Sequence, residues 1–588
     1  MAKTVGDFLF ERLRQWGVRR VFGYPGDGIN GIVSALGRAE DTEFVQVRHE
    51  EEAAFMACGH AKFTGDAGVC LATSGPGAIH LLNGLYDAKL DHQPVVAIVG
   101  QSVRTALGGH FQQEVDLAAL FKDVAGEYVQ TCTAPGQARH LIDRAFRIAK
   151  AERCVTALIF PNDVQEAEAV EVAAHAHGTI HTGIDFTTPQ VLPAKKDLDR
   201  AADILNRGEK VAILIGAGAA GAVDEVQAVA EKLCAGVAKA LLGKAVLPDE
   251  LPYVTGQIGL LGTKASHALM TGCDTLLMIG STFPYGEFLP KEGQARGVQI
   301  DIDPRMLSLR YPMDVALQGD AALTLRALLP KLEPRTNSKW RETVEHSTRD
   351  WWQEEKERAH LPADPLNPEL FYWELSSRLP DGAMIAVDTG MSTTFFARAL
   401  QIRRGMSTAV SGTLATMGPA VSYATAAKFA FPHKPAFALV GDGAMQMLGI
   451  NALITAAKYW KQWHDPRFII AVLNNGDLNM VSWELRALGG SPKLPETQDV
   501  PDFDYAGYAR LLGLTGFDVK GPQDVAPVLE QALAAQRPVV INVHADPNVI
   551  ALPPHTTLEQ AKNFFEALAK GDTDRGAILK QMYRQMTL

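Results

Sequence analysis

Cysteine is scarce in this chain, and long apolar runs are missing. Six cysteines are spread over 588 residues with no CxxC or similar spacing. That pattern indicates small buried side chains in a reducing compartment rather than disulfides or a zinc site. No apolar run reaches membrane-spanning length, and the opening Met-Ala-Lys-Thr-Val lacks the apolar stretch of a secretory signal. We therefore expect a cytoplasmic protein.

Blocks of basic residues are also missing. Lysine and arginine number 56 against 67 aspartates and glutamates, which gives a net charge of −11. This balance argues against nucleic acid as a partner. The hydrophobic content of 47% and the charged content of 21% are typical of a soluble globular protein. Because 588 residues are too many for one core, we expect several domains.

Helical and strand patterns alternate in three stretches of the chain. They predict an α/β fold with three doubly wound parallel-sheet domains. The predicted domains are a first over 1–170, a central one over 190–335 and a third over 366–547, followed by a tail over 548–588. The irregular segment 171–189 is interpreted as a linker, and the charged segment 336–365 as a solvated helix between domains.

Two polar clusters end successive apolar runs in the third domain. Gly441-Asp442-Gly443 follows one run and Asn474-Asn475-Gly476 follows the next, with a helical pattern between them. Parallel strands joined by a crossover helix would place both clusters at the same sheet edge. Asp442 and Asn475 offer oxygen ligands that suit a Mg²⁺ holding phosphate oxygens. The helix that begins near Ala444 would point free N–H groups at the phosphate.

This pair of motifs resembles the diphosphate anchor of thiamine diphosphate enzymes. The spacing departs slightly from the family: 30 residues separate Gly443 from Asn474, and 460–466 is interpreted as an insertion after the helix. Two turns in an ordinary α/β domain are the alternative. The resemblance assigns cofactor contacts to Gly441, Asp442, Gly443, Ala444, Asn475, Asp477, Leu478, Asn479 and Met480. Of these, Asp442, Asn475 and the backbone carbonyl of Asp477 would bind the metal.

The segment RHEEEAAFMACGHAKFTG carries three consecutive glutamates. It resembles the element of pyruvate oxidases and acetolactate synthases in which the glutamate after Arg-His hydrogen-bonds the aminopyrimidine ring. That interaction favours the imino tautomer, which removes the C2 proton of the thiazolium. The resemblance assigns this catalytic role to Glu50. Glu51 and Glu52 are rival positions, and a solvated acidic helix start is the alternative for all three.

Further family motifs surround this glutamate. The resemblance adds cofactor contacts at Pro25, Gly26, Thr73, Asn83, Ala415, Thr416 and Met417. In related enzymes the residue matching Met417 wedges the cofactor into a V, although a buried core methionine is the alternative. The segment Gly109–Glu114 resembles a loop that reaches the substrate. It suggests Phe111 and Gln112 as catalytic residues, and a packed surface loop is equally open.

The central domain contains a literal GxGxxG motif, Gly216–Gly221, after an apolar run. The acidic residue expected about 20 positions later is not clearly present, so NAD is not predicted. As a whole, the domain resembles the FAD-carrying central domain of pyruvate oxidases. The resemblance assigns dinucleotide contacts to Gly259, Leu260, Gly280, Ser281, Thr282, Phe283, Pro284, Asp301 and Asp303. A domain that binds nothing, or that binds ADP, is the alternative.

Two segments bear on the reaction. Met480-Val481 resembles acetolactate synthases, whereas Glu484 stands where pyruvate oxidases place a glutamate. A helix that packs its Met and Trp into the core is the alternative. The tail resembles the lipid-responsive end of quinone-linked pyruvate oxidases. Its apolar stripe would contact a membrane or dock on its own protein; the stripe consists of Ala577, Ile578, Met582, Tyr583 and Met586.

Taken together, the resemblance implies a homodimer or homotetramer whose active sites are shared between chains. It would oxidatively decarboxylate a small 2-keto acid, pyruvate, with thiamine diphosphate, Mg²⁺ and FAD. Electrons would pass to a quinone or another acceptor, with the protein cytoplasmic or peripheral on the inner face of the membrane. One alternative is a carboligase of acetolactate-synthase type with a non-redox FAD or nucleotide. Another is a non-catalytic nucleotide-binding regulatory protein descended from this fold.

Overall fold

The computed structural model describes residues 2–335, 339–551, 553 and 556–586. It contains three six-stranded sheets, and all of their strand pairs are parallel. Helices flank each sheet, so the predicted class of three doubly wound α/β domains is confirmed. Within these residues no helix is both long and apolar enough to cross a membrane.

The first sheet belongs to the N-terminal third of the chain. Its strands are β1 Arg20–Gly23, β2 Glu43–Gln46, β3 Gly68–Ala72, β4 Val95–Gln101, β5 Val129–Thr131 and β6 Val155–Pro161. The helices are α1 Val5–Gln15, α2 Asn30–Leu36, α3 Glu50–Thr64, α4 Pro76–His80, α5 Leu82–Leu90, α6 Leu117–Leu120, α7 Ala138–Glu152 and α8 Asn162–Glu166. The strand order is β2-β1-β3-β4-β6-β5. Strands β3, β4 and β6 are buried throughout, as expected where helices cover both faces of a sheet.

The second sheet has the order β12-β11-β10-β7-β8-β9 once its strands are numbered along the chain. These are β7 Val211–Ile215, β8 Gly236–Lys239, β9 Val254–Gln257, β10 Thr275–Ile279, β11 Arg296–Asp301 and β12 Val315–Gln318. The accompanying helices are α9 Lys195–Arg207, α10 Val223–Lys232, α11 Lys264–Gly272, α12 Ala321–Leu328 and α13 Lys339–Ala359. The strand order reverses between β10 and β7, which makes that crevice the place where such sheets bind ligands.

Helix α13 differs from its prediction as a solvated connector. Val344, Thr348, Trp351 and Glu355 recur along one face, and all four are buried. The charged residues between them lie on the outer face. This highly charged segment is therefore an amphipathic helix that packs on the domain.

The third sheet has strands β13 Met384–Val387, β14 Ser407–Val410, β15 Ala436–Gly441, β16 Phe468–Asn474, β17 Thr515–Val519 and β18 Val539–His544. Its order is β14-β13-β15-β16-β18-β17. The helices are α14 Pro368–Arg378, α15 Met391–Arg398, α16 Ala420–Ala430, α17 Asp442–Ala444, α18 Ile450–Tyr459, α19 Asn479–Ala487, α20 Pro495–Gln498, α21 Tyr505–Leu511 and α22 Pro522–Ala534. A π-helical segment, Met445–Gly449, joins α17 to α18.

Helices α3 and α16 join the first and third domains in one hydrophobic core. Gly59 approaches Tyr423 so closely that an added Cβ would lie 2.8 Å from the Tyr423 Cα. The ring of Tyr423 meets Phe55 edge-on, with the ring centres 6.1 Å apart. Helix α3, whose first turn carries the three glutamates, therefore packs against the third domain of the same chain.

The tail forms two helices, α23 Leu558–Ala569 and α24 Arg575–Met586. Phe564 of α23 stacks on Trp483, with ring centres 5.7 Å apart. In α24, Ile578 is fully buried and Met582 packs on the third domain's core, whereas Tyr583 is 72% exposed. The predicted stripe is thus divided, and its buried part docks on the protein itself; the side chain of Met586 lies outside the described residues.

Candidate active site

The predicted diphosphate anchor is assembled at the ends of two neighbouring strands. Strands β15 and β16 pair in register, so Asp442 and Asn475 leave the sheet side by side. One Asp442 carboxylate oxygen accepts from the N–H groups of Asn475 (3.0 Å) and Gly476 (2.7 Å), and the other accepts from Gly443 (2.7 Å). Burial raises the pKa of Asp442 to about 6, against the lowering effect of these N–H groups. Two of the three predicted metal ligands therefore lie together.

The carboxylate of Asp477, the third predicted ligand residue, is already engaged. It accepts from Asn479 (2.9 Å) and Ser482 (2.8 Å) and pairs with Lys493 at 3.1 Å. The prediction used only the backbone carbonyl of Asp477; this carbonyl accepts from the N–H of Asn479 at 2.7 Å, and its assignment as a metal ligand stays a prediction. The side-chain oxygen of Asn475 accepts from the Asp477 N–H at 3.1 Å, which fixes the turn.

Met417 lies beside the anchor. A Cβ added to Gly443 would come 2.6 Å from a Leu478 methyl carbon and 3.3 Å from the Met417 methyl carbon. Only glycine leaves this corner open, which fits a bulky diphosphate group. Ala415 has φ +54°, a left-handed conformation that is unusual for a residue with a side chain. The position of Met417 agrees with a wedge, and its role stays a prediction.

Two buried aspartates hold the loop that carries Met417. Asp388, at the end of β13, accepts from the N–H groups of Gly418 (2.8 Å) and Ala420 (3.1 Å). Asp91, from the first domain, accepts from Gly412 (2.9 Å) and Thr413 (2.8 Å). Sequence reasoning missed both roles; the only local signal was Asp388 at a strand end.

Glu50 occupies a confined position in the first domain. It is 8% exposed, and its carboxylate lies 2.9 Å from Nδ1 of His80. The His80 ring stacks on His49 with centres 4.4 Å apart, and ligand atoms of the three residues lie within 4.8 Å of one another. A Cβ on Gly77 would come 3.1 Å from the other Glu50 oxygen. His80 was not predicted, although it stands three residues after the Gly-Pro-Gly turn.

The two rival glutamates have different surroundings. Glu51 accepts a 2.6 Å hydrogen bond from the Asn83 amide, which also donates to Thr416 at 2.9 Å. Glu52 is fully buried and accepts from the N–H of Arg48 at 2.9 Å, and burial raises its pKa to about 7. Glu52 therefore belongs to the core, whereas Asn83 and Thr416, both predicted contacts, are brought together.

The loop over 109–114 packs on the Thr73–Gly77 turn through a residue that was not predicted. The Ser74 hydroxyl donates to the Gln113 side chain at 3.1 Å. Phe111, by contrast, is 56% exposed, and Gln112 is also exposed. Within one chain, neither predicted residue is brought to the anchor.

Pro25 and Gly26 follow β1 and approach the same turn. An added Cβ on Gly26 would lie 2.5 Å from the Cβ of Thr73. The Thr73 hydroxyl accepts from the Gly28 N–H at 3.0 Å. The predicted contacts at Gly26 and Thr73 are therefore adjacent, close to Glu50.

Helix α19 presents different residues to its two sides. Trp483 is 5% exposed and faces the tail, whereas Val481 is 47% exposed. Glu484 is exposed, whereas Met480, one turn earlier, is partly buried and packs on the core of the third domain. Burial raises the pKa of the Glu484 carboxyl. The Trp belongs to the core, and the Glu remains accessible.

The glycines of the central GxGxxG motif make backbone contacts. The N–H groups of Gly216 and Gly218 donate to the carbonyls of Ile279 and Gly280, both at 3.0 Å. A Cβ on Gly280, which has φ +55°, would lie 2.4 Å from the Gly218 carbonyl carbon. These glycines close β7 against β10, so the motif match does not by itself indicate a nucleotide.

The predicted dinucleotide residues line the carboxyl edge of this sheet. Gly259 has φ +104°, and an added Cβ would touch Phe283 at 3.0 Å. Asp303 pairs with Arg305 at 2.9 Å, whereas the Asp301 carboxylate accepts only from the Asp303 N–H in the described hydrogen bonds (3.0 Å). The predicted residues Gly280, Ser281, Thr282, Phe283 and Pro284 follow β10. At this edge the buried amide of Gln257 has no hydrogen-bond partner in the described part of the chain, a feature that fits a ligand.

These observations define a class of protein. Three parallel α/β domains, an Asp–Asn pair at neighbouring strand ends, a methionine beside it and a confined glutamate are the parts of a thiamine diphosphate-binding site. Three family models match the chain: the N-terminal TPP binding domain of thiamine pyrophosphate enzymes over residues 3–120, their central domain over 198–328, and their C-terminal TPP binding domain over 388–543. The chain belongs to the thiamine pyrophosphate enzyme family.

Relatives with different activities match nearly the whole chain. YdaP of Bacillus subtilis (strain 168), described provisionally as thiamine pyrophosphate-containing, is 34% identical over 97% of this chain and 96% of its own length. The pyruvate oxidase of Lactiplantibacillus plantarum is 29% identical, covering 91% of this chain and 88% of its own. The acetolactate synthase isozyme 2 large subunit of Escherichia coli (strain K12) is 30% identical, and the match covers 91% of this chain and 94% of its own length. The relatives thus share one family and include both a pyruvate oxidase and an acetolactate synthase.

Proposed function

We propose that this protein oxidatively decarboxylates a small 2-keto acid, pyruvate, to acetate and CO₂. Pyruvate and water give acetate, CO₂, two protons and two electrons, and the electrons pass through FAD to a quinone or another acceptor. When bound, thiamine diphosphate supplies the acidic carbon that attacks the keto group, and FAD accepts two electrons.

The arrangement of α19 supports an oxidase more than a carboligase. Glu484 is exposed and lies one turn after Met480, as the resemblance to pyruvate oxidases requires. Trp483, on the same helix, is buried and stacks on Phe564. The position of Glu484 is the observation that carries the proposal.

The chain's own residues would divide the work. Asp442, Asn475 and the Asp477 carbonyl would hold Mg²⁺ and, through it, the diphosphate. Glu50 would share a proton with the aminopyrimidine N1′, and its confined position would favour that exchange. Met417 would fix the shape of the bound cofactor. We also propose a homodimer as the smallest active unit.

Anaerobic addition of pyruvate tests the proposed reaction. Protein reconstituted with thiamine diphosphate, Mg²⁺ and FAD should lose the flavin absorbance near 450 nm on mixing with pyruvate, and acetate should accumulate once an acceptor such as ubiquinone is added. A flavin that stays yellow while pyruvate is consumed would overturn the oxidase proposal.

A carboligase of acetolactate-synthase type is the second candidate. The Met480-Val481 pair favours it, because Val481 is exposed beside Met480 as a substrate-facing residue would be. In that case FAD or another nucleotide would be structural. Formation of acetolactate from pyruvate, without flavin reduction, would support this candidate in the same experiment.

A further inference from the structure

Gln257 is a buried amide without a hydrogen-bond partner. It ends strand β9 and is 1% exposed, and neither its Oε1 nor its Nε2 bonds to any described residue. A buried polar group left unpaired costs about 1–3 kcal/mol, so such a group needs an explanation. The carboxyl ends of parallel strands are where these sheets bind ligands. We propose that Gln257 binds the isoalloxazine ring of FAD, an inference that rests on the proposed function.

The charged groups next to Gln257 are occupied with one another. Lys239, its partner across β8 and β9, contacts Asp249 at 2.5 Å and donates to the Leu247 carbonyl at 2.9 Å. Lys244 pairs with the other oxygen of Asp249 at 3.2 Å. Each of the two ammonium groups therefore already has a partner: they share the Asp249 carboxylate and bond backbone carbonyls. Gln257, by contrast, has no partner among the described residues, so it is the group here that a ligand would satisfy.

A second unpaired group comes from the third domain. Helix α15 packs along β9: the carbonyl of Ala397 accepts from Lys244 at 3.1 Å, and Arg398 donates to the Leu260 carbonyl at 3.0 Å. Thr394 lies one turn earlier on the same face of α15. It is 1% exposed, and its hydroxyl has no partner among the described residues. Two neutral polar groups thus face the contact between the central and third domains.

The spacing of the sheet suits a dinucleotide. Asp301, the predicted ribose or adenine contact, ends β11, and Gln257 ends β9. Four strand spacings separate β11 from β9, a distance of about 19 Å. An extended dinucleotide spans such a distance, and a mononucleotide does not. With the adenosine half at Asp301, the ring of FAD would arrive at Gln257, beside the third domain.

The amide also matches the chemistry of the ring. The pyrimidine edge of isoalloxazine alternates carbonyl acceptors with an N–H donor. A glutamine amide carries one acceptor and two donors in a plane, and a threonine hydroxyl can donate or accept. Gln257 and Thr394 can therefore bind this edge without any charged group.

The test compares Gln257→Met with Gln165→Met. Gln165, in helix α8 of the first domain, is also fully buried, but its amide donates to the carbonyls of Gly28 and Phe160, both at 2.8 Å. Binding of FAD and of ADP to the apoprotein is measured by flavin fluorescence and by calorimetry, and the melting temperature of each apoprotein is recorded. Gln257→Met should weaken FAD binding about 10-fold or more. It should leave ADP affinity unchanged and should not lower the melting temperature. Gln165→Met should lower the melting temperature and leave FAD affinity unchanged.

Any other outcome of these binding and melting measurements overturns the inference. Equal FAD affinity in wild type and Gln257→Met overturns the inference alone. An equal loss for ADP and FAD assigns the amide to adenine and overturns the ring assignment. A melting temperature lowered as in Gln165→Met shows a structural partner for the amide and also overturns it. Failure of the wild type to bind FAD overturns the flavin part of the proposed function together with this inference.

Discussion

The three glutamates at the start of α3 show how adjacent identical residues acquire different properties. Glu50 lies beside a histidine in a confined turn, Glu51 pairs with an amide, and Glu52 is sealed in the core. A helix turns by about 100° per residue, so consecutive side chains face different surroundings. The sequence pattern alone could not separate them, and these surroundings favour Glu50 for the proton exchange.

Substitution at the two outer positions of this trio tests that assignment. Glu50→Gln keeps the size of the side chain but removes the shared proton, so turnover of pyruvate should fall about 100- to 10,000-fold. Glu52→Gln lies in the core and should change turnover less than about twofold. Initial rates, with thiamine diphosphate affinity measured separately, would decide. Full turnover by Glu50→Gln would contradict the mechanism.

Glu52→Gln also has a predicted effect on stability that depends on pH. Burial raises the pKa of Glu52 from 4.5 to about 7, so the folded chain holds this proton after the unfolded chain has released it. Raising the pH from 4.5 to 7 therefore destabilises the wild type, by up to roughly 3 kcal/mol at pH 8. The Glu52→Gln variant has no carboxyl group to ionise, so it does not lose stability in this way. Its melting temperature should match the wild type near pH 4.5 and exceed it at pH 8; an equal difference at both pH values would contradict the assignment.

At the scale of elements, α19 and the tail form one unit. The guanidinium of Arg486 makes two hydrogen bonds with Asp572, at 2.8 and 3.0 Å, and both side chains are buried. Asp574 contacts the same guanidinium at 2.8 Å but is 26% exposed. The helix that carries Met480 and Glu484 is thus held from behind by residues almost 90 positions away.

Removing the buried partner should release the tail. Asp572→Asn leaves the Arg486 charge buried with a weakened partner, which typically costs about 3–5 kcal/mol. Asp574→Asn is the matched control, because a partly exposed pair contributes about 1 kcal/mol or less. Hydrogen exchange in α19, α23 and α24 should accelerate strongly in Asp572→Asn and little in Asp574→Asn. Equal exchange in the two variants would show that the buried pair does not hold the tail.

Local patterns predicted the elements better than they predicted contacts between them. The apolar runs ending in Gly441-Asp442-Gly443 and Asn474-Asn475-Gly476 specify strand ends, and parallel pairing then brings Asp442 and Asn475 together. The contacts of His80 with Glu50 and of Arg486 with Asp572 join separate elements, so no spacing rule predicts them. The GxGxxG motif was ambiguous because glycine serves close packing as well as ligand approach.

At the scale of the whole molecule, each chain holds both halves of a site, in domains that pack on one another. The pyrimidine half is represented by Glu50 and the diphosphate half by Asp442. The family resemblance implies that Glu50 of one chain serves the anchor of another. Symmetric homodimers would then contain two identical shared sites.

Mixing two inactive variants tests this arrangement. Glu50→Gln and Asp442→Ala should each be nearly inactive, because each removes a necessary part from both sites of a dimer. In a hybrid dimer with shared sites, one site carries both substitutions and the other carries none. Random reassembly of equal amounts makes about half of the dimers hybrid, so about a quarter of wild-type activity should return.

The same experiment also tests the alternative, in which each site is formed within one chain. If Glu50 and Asp442 of one chain formed the site together, every site in a hybrid would carry one substitution, and mixing would restore no activity. Size-exclusion chromatography after reassembly, with differently tagged chains, would establish that hybrids had formed before activity is compared. We expect restoration because the family resemblance implies that Glu50 of one chain serves the Asp442 anchor of a second copy.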